Sequence, residues 1–523
     1  MAPEDEYNTA AVAAIHPPER VNPTPKESYD LVVIGAGVAG LLSVICAKAL
    51  GKRAALIERH YMGGDCLNVG CFPSKAIIRC ARAVHDVKTS ARFGVILPEG
   101  EVRVDFGAVM QRMRMLRASI APHDGVERYC RDFCDDIFIG DAKFTGPNTI
   151  TVEGMEQPIV FEKAMVATGA SAAIPPIPGL RSVPHLTNND FFNLEELPPR
   201  MCLIGAGPIG IELAQTMARL GSEVTIVDIA PQLLIREDPD AAQCLQQILE
   251  KEMRIEYSVR IQNISYQGEG TTARTKAPWG LYKVSVTLAD GTDAVIECEA
   301  LLNATGRVPN VCGIGLDEAG VNYDNRVGVH IDDCFMTTNP NVYACGDCAS
   351  PFKFTHAADW QARTAIRNMF LGTKEKQSQL LFPWCTYTEP EIAHVGLYEK
   401  EMEDRGIPHV SYKRDLKDVD RCKCEGVTEG FVKISARQGT DEILGATIVG
   451  PNAGDMISEI TLCMNNGIGL SRLAGCVHPY PTSAEAVRQC AAQFWQRGGL
   501  KTPVNNRVVE MLLQGGAGAA DGV

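Results

Sequence analysis

No apolar run in the 523-residue chain approaches the ~18 residues needed to cross a bilayer as a helix, which argues against a membrane partner. Excess positive charge is also missing. The 50 Lys and Arg stand against 64 Asp and Glu, a net charge of −14, whereas a nucleic acid or an anionic membrane needs a basic face. The first 28 residues, MAPEDEYNTAAVAAIHPPERVNPTPKES, lack both a basic leading region and a long apolar core. They are too acidic and too rich in proline for a signal or transit peptide, and are expected to be a disordered extension of a cytoplasmic protein. The 19 cysteines are scattered and odd in number, the pattern of reduced thiols rather than a disulfide scaffold. Cys345 and Cys348 form C-x-x-C, and Cys422 and Cys424 form C-x-C. Neither has a second ligand pair at zinc spacing, so no metal site is expected. With 45% hydrophobic and 22% charged residues, the composition is that of a soluble globular chain of about three domains.

What the chain does carry is a nucleotide-binding signature, twice. Residues 30–58, DLVVIGAGVAGLLSVICAKALGKRAALIE, read as strand, glycine turn, helix and strand. Gly35, Gly37 and Gly40 form GxGxxG, which permits a tight turn and lets a pyrophosphate approach the helix N-terminus. Glu58 ends the next strand, where a carboxylate accepts ribose hydroxyls. The pattern recurs over residues 201–228 with Gly205, Gly207 and Gly210, and Asp228 closes it at the same spacing. Two such units predict two dinucleotides, FAD and a nicotinamide cofactor, with hydride transfer between them. Asp228 favours NADH over NADPH, because a carboxylate there bonds a free 2′-hydroxyl and repels a 2′-phosphate.

Between the two units lies GGDCLNVGCFPSK, Gly63 to Lys75. Cys66 and Cys71 flank an Asn/Gly-containing turn leading into a helix, where the dipole and unpaired N–H groups stabilise a thiolate. Together with the fingerprints, this motif resembles the active-site disulfide of the pyridine nucleotide–disulfide oxidoreductases, the family of glutathione reductase, dihydrolipoamide dehydrogenase and mercuric reductase. The resemblance runs from about Tyr29 to about Arg497. It implies an α/β fold of two Rossmann-like, glutathione reductase-like dinucleotide-binding domains and a C-terminal α+β dimerisation domain. The FAD domain would cover residues 29–178 and 302–378, the NAD(P) domain 179–301, the interface domain 379–497, and a tail 498–523. TEPEIAHVG, Thr388 to Gly396, resembles the start of the interface domain and implies a homodimer.

The resemblance also implies roles. Electrons would pass from NAD(P)H through FAD to a Cys66–Cys71 disulfide, with Cys71 against the flavin and Cys66 meeting the substrate. Lys75 would lie by the flavin, paired with Glu212 of GIELA. FAD would be bound by Gly35, Gly37, Gly40, Glu58, Asp65, Cys66, Lys75, Ala142, Thr168, Gly169, Gly346 and Asp347. The nicotinamide cofactor would be bound by Gly205, Gly207, Gly210, Glu212, Asp228 and Gly306. Pro208 occupies a slot where some relatives carry an aromatic that shields the flavin.

One departure sets the expected substrate. At VHPYPTSAEA, Val477 to Ala486, disulfide-reducing members carry a histidine with a glutamate five residues later, and this pair moves the proton. Glu485, Pro481 and Thr482 match, but Tyr480 takes the histidine's place. A phenol has a pKa of ~10 against ~6.5 for imidazole, a poor shuttle at neutral pH. His478 lies ~7 Å away along an extended chain and is expected to be structural. A tyrosine in that slot is similar to mercuric reductases, whose Hg(II) thiolate substrate depends less on a base. Yet the tail has no vicinal cysteine pair, and no metal-binding CxxC domain precedes the core. The reading is a mercuric reductase-like flavoprotein reductase acting on a soft-metal thiolate or oxidised-sulfur substrate. A dihydrolipoamide dehydrogenase or glutathione-reductase-type disulfide reductase is the enzyme alternative. A non-catalytic FAD-bound sensor or scaffold is the alternative from another class, and the intact Cys66, Cys71, Lys75 and Glu212 argue against it.

Overall fold

The computed structural model describes residues 1–98, 100, 102–270 and 272–497, so the expected tail, 498–523, lies outside the described residues. The chain divides into two compact units. The first is 1–233 with 252–380, and the second is 234–251 with the chain from 381 on.

In the first unit, strand Tyr29–Ile34 pairs in parallel with Ala54–Glu58 on one side and Ile159–Val166 on the other. Asp136–Ile139 extends one edge, and Val342–Ala344 returns from far along the chain to pair with Ile159–Val166. Every residue of Ala54–Glu58 is buried, as expected of a parallel strand covered on both faces. Helices Val38–Ala49 and Thr355–Leu371 pack together over this sheet. A second parallel sheet repeats the plan with strands Arg254–Glu256, Glu223–Val227, Arg200–Ile204 and Ala300–Asn303 in that order. Its first crossover helix is Pro208–Leu220, whose inward face from Gly210 to Leu220 is almost wholly buried. An antiparallel sheet, Arg260–Gln267, Leu281–Thr287 and Asp293–Cys298, packs beside it.

The first 28 residues, expected to be disordered, instead carry helix Glu6–Ile15. Asp5 caps it, accepting from the Asn8 backbone N–H at 2.8 Å. Ala11 and Ile15 are fully buried in the same core as Met62, Leu67 and Tyr129. Composition misleads here because the charges and prolines flank the helix. The buried stripe of Asn8, Ala11 and Ile15 follows helical spacing but is too short to stand out.

The second unit is an antiparallel sheet in the order Pro383–Thr386, Glu391–Gly396, Ile443–Gly450, Phe431–Arg437, His409–Asp415. Its central strand, Ile443–Gly450, is buried throughout and is covered by helix Ala453–Asn465. Helix Glu485–Gln496 packs against the edge strand His409–Asp415 and its neighbour. Segment 234–251, assigned from sequence to the NAD(P) domain, belongs to this unit instead. The buried Glu237 carboxylate accepts from Trp384 Nε1 and Tyr398 Oη, both at 2.6 Å, and Asp238 pairs with buried Lys433 at 2.6 Å. Breaking such buried pairs leaves uncompensated charge, so these partners fix where the segment packs. Among the described residues, no helix is long and apolar enough to cross a membrane.

Candidate active site

The two glycine turns are built alike. Gly35 takes φ +101°, and a Cβ there would run into the Ala167 carbonyl; a Cβ at Gly40 would run into the carbonyl of Gly35. In the second copy Gly205, at φ +109°, abuts the Ala304 carbonyl, and Gly210 abuts Gly205. Strand and helix therefore meet at backbone contact in both. Gly37 and Gly207 are N-caps with no side-chain cap, which leaves the first-turn N–H groups to bind an anion.

The closing acids also match. Glu58 accepts from the backbone N–H groups of Ala36 and His60, both at 2.7 Å. Asp228 accepts from those of Ala206 and Ala230, the latter at 2.7 Å. Each carboxylate thus ties its glycine turn to the neighbouring strand end, and its remaining lone pairs can still accept from a ribose. Burial pushes the Glu58 carboxyl up, against the N–H groups that favour its charge. Glu58, Gly35, Ala142 and Thr168 line one cleft with Asp141, Asn310 and Cys312. Strands Ala170–Ala172 and Arg307–Pro309 pair where the chain leaves and re-enters the first sheet. Asn310 N–H bonds the Gly169 carbonyl at 2.9 Å, and the Gly306 carbonyl accepts from Ala173 at 2.9 Å.

Cys66 lies in the short helix Gly64–Asn68, and Cys71 opens the 18-residue helix Cys71–Lys88. Both are free thiols. Thr355 Oγ1 is 3.3 Å from Cys71 Sγ. One turn on, Lys75 Nζ donates to Glu212 Oε2 at 2.8 Å, joining the redox helix to helix Pro208–Leu220. The Cys71 thiol is pulled well below the usual thiol range, chiefly by a hydrogen bond from Cys66, then by Thr355 and the Lys75 charge, against burial and Glu212. Cys66 is pushed up by the same hydrogen bond and by burial. Of the two thiols, Cys71 is the one whose surroundings favour the thiolate.

Sequence reasoning passed over three groups here. Thr355 lies 284 residues from Cys71, beyond any local signal. Arg307 sits in the run ATGRVPN, Ala304 to Asn310; its guanidinium contacts Asp65 of the redox loop and lies 3.7 Å from Asp347. Lys353 donates to the Asp347 carbonyl at 2.8 Å. Burial raises the Asp347 carboxyl, opposed by Arg307 and Lys353. Gly346 N–H donates to the buried Gln361 side chain at 2.9 Å.

The remaining sequence candidates lie in the second unit and are not one cluster. Tyr480, 70% exposed, donates its hydroxyl to Asp420 at 3.1 Å, which holds the phenol above its ordinary pKa. Glu485, in the first turn of helix Glu485–Gln496, accepts from Arg488 at 2.7 Å. His478 is largely enclosed: Nδ1 faces the Cys476 carbonyl at 3.2 Å, and Nε2 lies 2.8 Å from Glu459, off the line of a hydrogen bond.

Two glycine-cradled helix N-termini, each backed by a strand-end carboxylate, fit two dinucleotides, and the polarised dithiol lies in the same unit. Fold and site together define a two-dinucleotide, dithiol-bearing oxidoreductase. The family described as pyridine nucleotide-disulphide oxidoreductase matches residues 29–362, and its dimerisation domain matches residues 382–491. A mercuric reductase of Bacillus cereus is 33% identical over 89% of this chain and 71% of its own length. A dihydrolipoyl dehydrogenase of Chlamydia trachomatis is 33% identical over 89% of this chain and 96% of its own. Among solved structures, the HOCl-induced flavoprotein disulfide reductase RclA from Escherichia coli superposes with a TM-score of 0.76 at 27% identity, covering 89% of this chain and 99% of that one. A further structure of RclA, as a Cu(II) complex, matches at 26% identity over 90% of this chain and 100% of that one, with a TM-score of 0.76. The chain belongs to the class I pyridine nucleotide–disulfide oxidoreductases. It is accordingly a flavoprotein oxidoreductase that binds FAD and NAD(P)H and carries the family's dimerisation domain.

Proposed function

We propose that this chain is an NADH-preferring flavoprotein reductase whose Cys66–Cys71 pair reduces a soft-metal thiolate complex of the Hg(II) type, in a homodimer. FAD and NAD(P)H, when bound, supply hydride and two-electron chemistry. Gly35, Gly40, Glu58 and the Asp347 segment would hold the first, and Gly205, Gly210 and Asp228 the second.

The observation that carries the reading is the proton inventory around the dithiol and at the C-terminal motif. Cys71 is favoured as a thiolate by Cys66, Thr355 and Lys75, beside the substrate-facing Cys66, so the pair offers a soft metal one ready thiolate and one thiol. Exchange at a soft metal forms a Cys66–metal bond as a metal–ligand bond breaks, and the Cys66 proton leaves with the displaced ligand thiolate. Reducing a disulfide breaks an S–S bond in two successive exchanges and leaves two thiolates to be protonated, the proton movement that the histidine–glutamate pair serves in disulfide-reducing members. Here Tyr480 is a phenol held protonated by Asp420, and Glu485 is engaged with Arg488. Neither is a shuttle at neutral pH. Relatives named mercuric reductase, and the Cu(II) complex of RclA, support a metal among the substrates. The carboxylate of Asp228 supports NADH.

Disulfide reduction is the second reading, favoured by the dihydrolipoyl dehydrogenase likeness. The test is anaerobic oxidation of NADH and NADPH with Hg(II) bis-thiolate, glutathione disulfide or lipoamide as acceptor. Hg(II)-dependent turnover, faster with NADH and abolished in Cys71→Ser, is expected. Turnover with disulfides alone overturns the metal reading.

A further inference from the structure

The N-terminal helix is packed against the loop that carries the redox cysteines, and one buried cation joins the two. Arg117 is 1% exposed. Its Nη1 donates to the Asn68 carbonyl at 2.7 Å and its Nη2 to Asn8 Oδ1 at 2.6 Å. Asn68 is the last residue of the short helix bearing Cys66, midway between the two cysteines in sequence. Its side-chain amide donates to the carbonyls of Met62 at 3.1 Å and Gly64 at 2.8 Å, so it also closes the loop on itself. Asn8 is oriented by its own bond to the Pro3 carbonyl at 2.7 Å. Asp5, which caps the N-terminal helix, pairs with Arg114, one turn from Arg117 on helix Phe106–Ile120. The backbone adds a tie, Met62 N–H to the Ile15 carbonyl at 3.2 Å. Burial lowers the Arg117 guanidinium to about 10, so it is charged at neutral pH although both hydrogen-bond partners are neutral. An enclosed cation with neutral partners is costly, and since the Arg117 Nε has no hydrogen-bond partner among the described residues, the bonds of Nη1 and Nη2 to Asn68 and Asn8 are what hold it in place.

We propose that Asn8 and Arg117 form a clamp by which the N-terminal helix sets the spacing of Cys66 and Cys71, making both positioning residues of the dithiol. The proposal rests on the redox role given to that pair. In the closing reaction with glutathione disulfide, the Cys66–Cys71 bond forms as the glutathione S–S bond breaks. The two thiol protons end on two glutathione thiols. A loop held with its sulfurs close has a high effective concentration for closure, and a loosened loop has a lower one. Loosening the clamp therefore moves the equilibrium towards the dithiol.

The experiment equilibrates the full-length holoenzyme anaerobically in glutathione buffers and counts the Cys66–Cys71 thiols by alkylation and mass. Asn8→Ala is expected to shift the equilibrium about tenfold towards the dithiol, about 30 mV for a two-electron couple. Arg117→Lys, which keeps the charge but loses the two-pronged reach, shifts it the same way and serves if Asn8→Ala fails to fold. Asn8→Asp, which keeps an oxygen for Arg117 and adds a charge opposite it but gives up the bond to the Pro3 carbonyl, shifts the equilibrium by less than Asn8→Ala does. An Asn8→Ala equilibrium within twofold of wild type overturns the clamp, as does an Asn8→Asp shift as large as that of Asn8→Ala. A wild-type protein that forms no Cys66–Cys71 disulfide overturns the redox role and the clamp with it.

Discussion

At the scale of single residues, the decisive feature is how unevenly two cysteines share a proton. Cys66 donates to Cys71, and Thr355 and Lys75 add to the stabilisation of the Cys71 anion. Because the Cys71 pKa is lowered, its thiolate persists as pH falls below the ordinary thiol range and is lost only through the lowered value. Removing the Lys75 charge takes away one stabilising contribution and leaves the Glu212 carboxylate acting in the opposite sense. Lys75→Met should therefore move the pH midpoint of Cys71 alkylation upwards by about one pH unit. Iodoacetamide rates measured across pH on the reduced protein, with Cys66 changed to Ser in both backgrounds, check this. An unmoved midpoint would show that Lys75 does not act on the thiolate. The cysteine pair, its lysine and the glutamate were legible through the family resemblance that their two short motifs carry, not from spacing alone. Thr355 was not, since a hydroxyl in an unremarkable PFKFTHAADW run has no local mark, and only the packing of helix Thr355–Leu371 brings it to Cys71.

At the scale of elements, the chain repeats one device, a strand, a glycine turn and a helix tied by the acid of the next strand. The glycines and acids were readable, but the bonds from Glu58 to Ala36 and from Asp228 to Ala206 were not, because sequence does not show which backbone group a carboxylate meets. The repetition permits a selective perturbation. A methyl at Gly210 collides with the Gly205 carbonyl and distorts only the second turn. Gly210→Ala should retain FAD, read from its absorption after gel filtration, while KM for NADH rises about tenfold or more, equivalent to about 1.4 kcal/mol of binding. Loss of both cofactors together would mean that the two turns are not independent. The N-terminal helix shows the limit of composition. Acidic and proline-rich flanks dominated the reading of the first 28 residues, yet Ala11 and Ile15 are fully enclosed. Segment 234–251 shows the same limit at a boundary, since Glu237 and Asp238 find partners beyond residue 380 that no local pattern announces.

At the scale of the whole molecule, the second unit presents a surface that a lone chain does not bury. Leu462, in helix Ala453–Asn465, is 63% exposed, Val477 is 98% exposed and Tyr480 is 70% exposed. Two of these, Val477 and Tyr480, flank His478 within the span matched by the dimerisation domain. Stable homodimers bury on the order of 1,600 Å² or more, with an apolar centre, and large exposed apolar side chains of this kind are what such a centre is made from. Charges there must be desolvated or exposed to a like charge across a two-fold axis, where each substitution meets its own copy or its neighbour. The pair of changes Leu462→Glu and Val477→Glu, which introduces charges of one sign, should therefore convert the proposed homodimer into monomers by sedimentation velocity. The monomer should keep its FAD and still pass electrons from NADH to a small outer-sphere acceptor such as ferricyanide, because those steps draw on the first unit alone. Turnover with Hg(II) bis-thiolate should stay within about fivefold of wild type, since the proposed capture by the dithiol asks for no base from the motif around Tyr480. A monomer that keeps ferricyanide turnover but loses Hg(II) turnover by about a hundredfold would mean that metal handling needs a second chain, and the reading of the dithiol as sufficient for capture would fall with it.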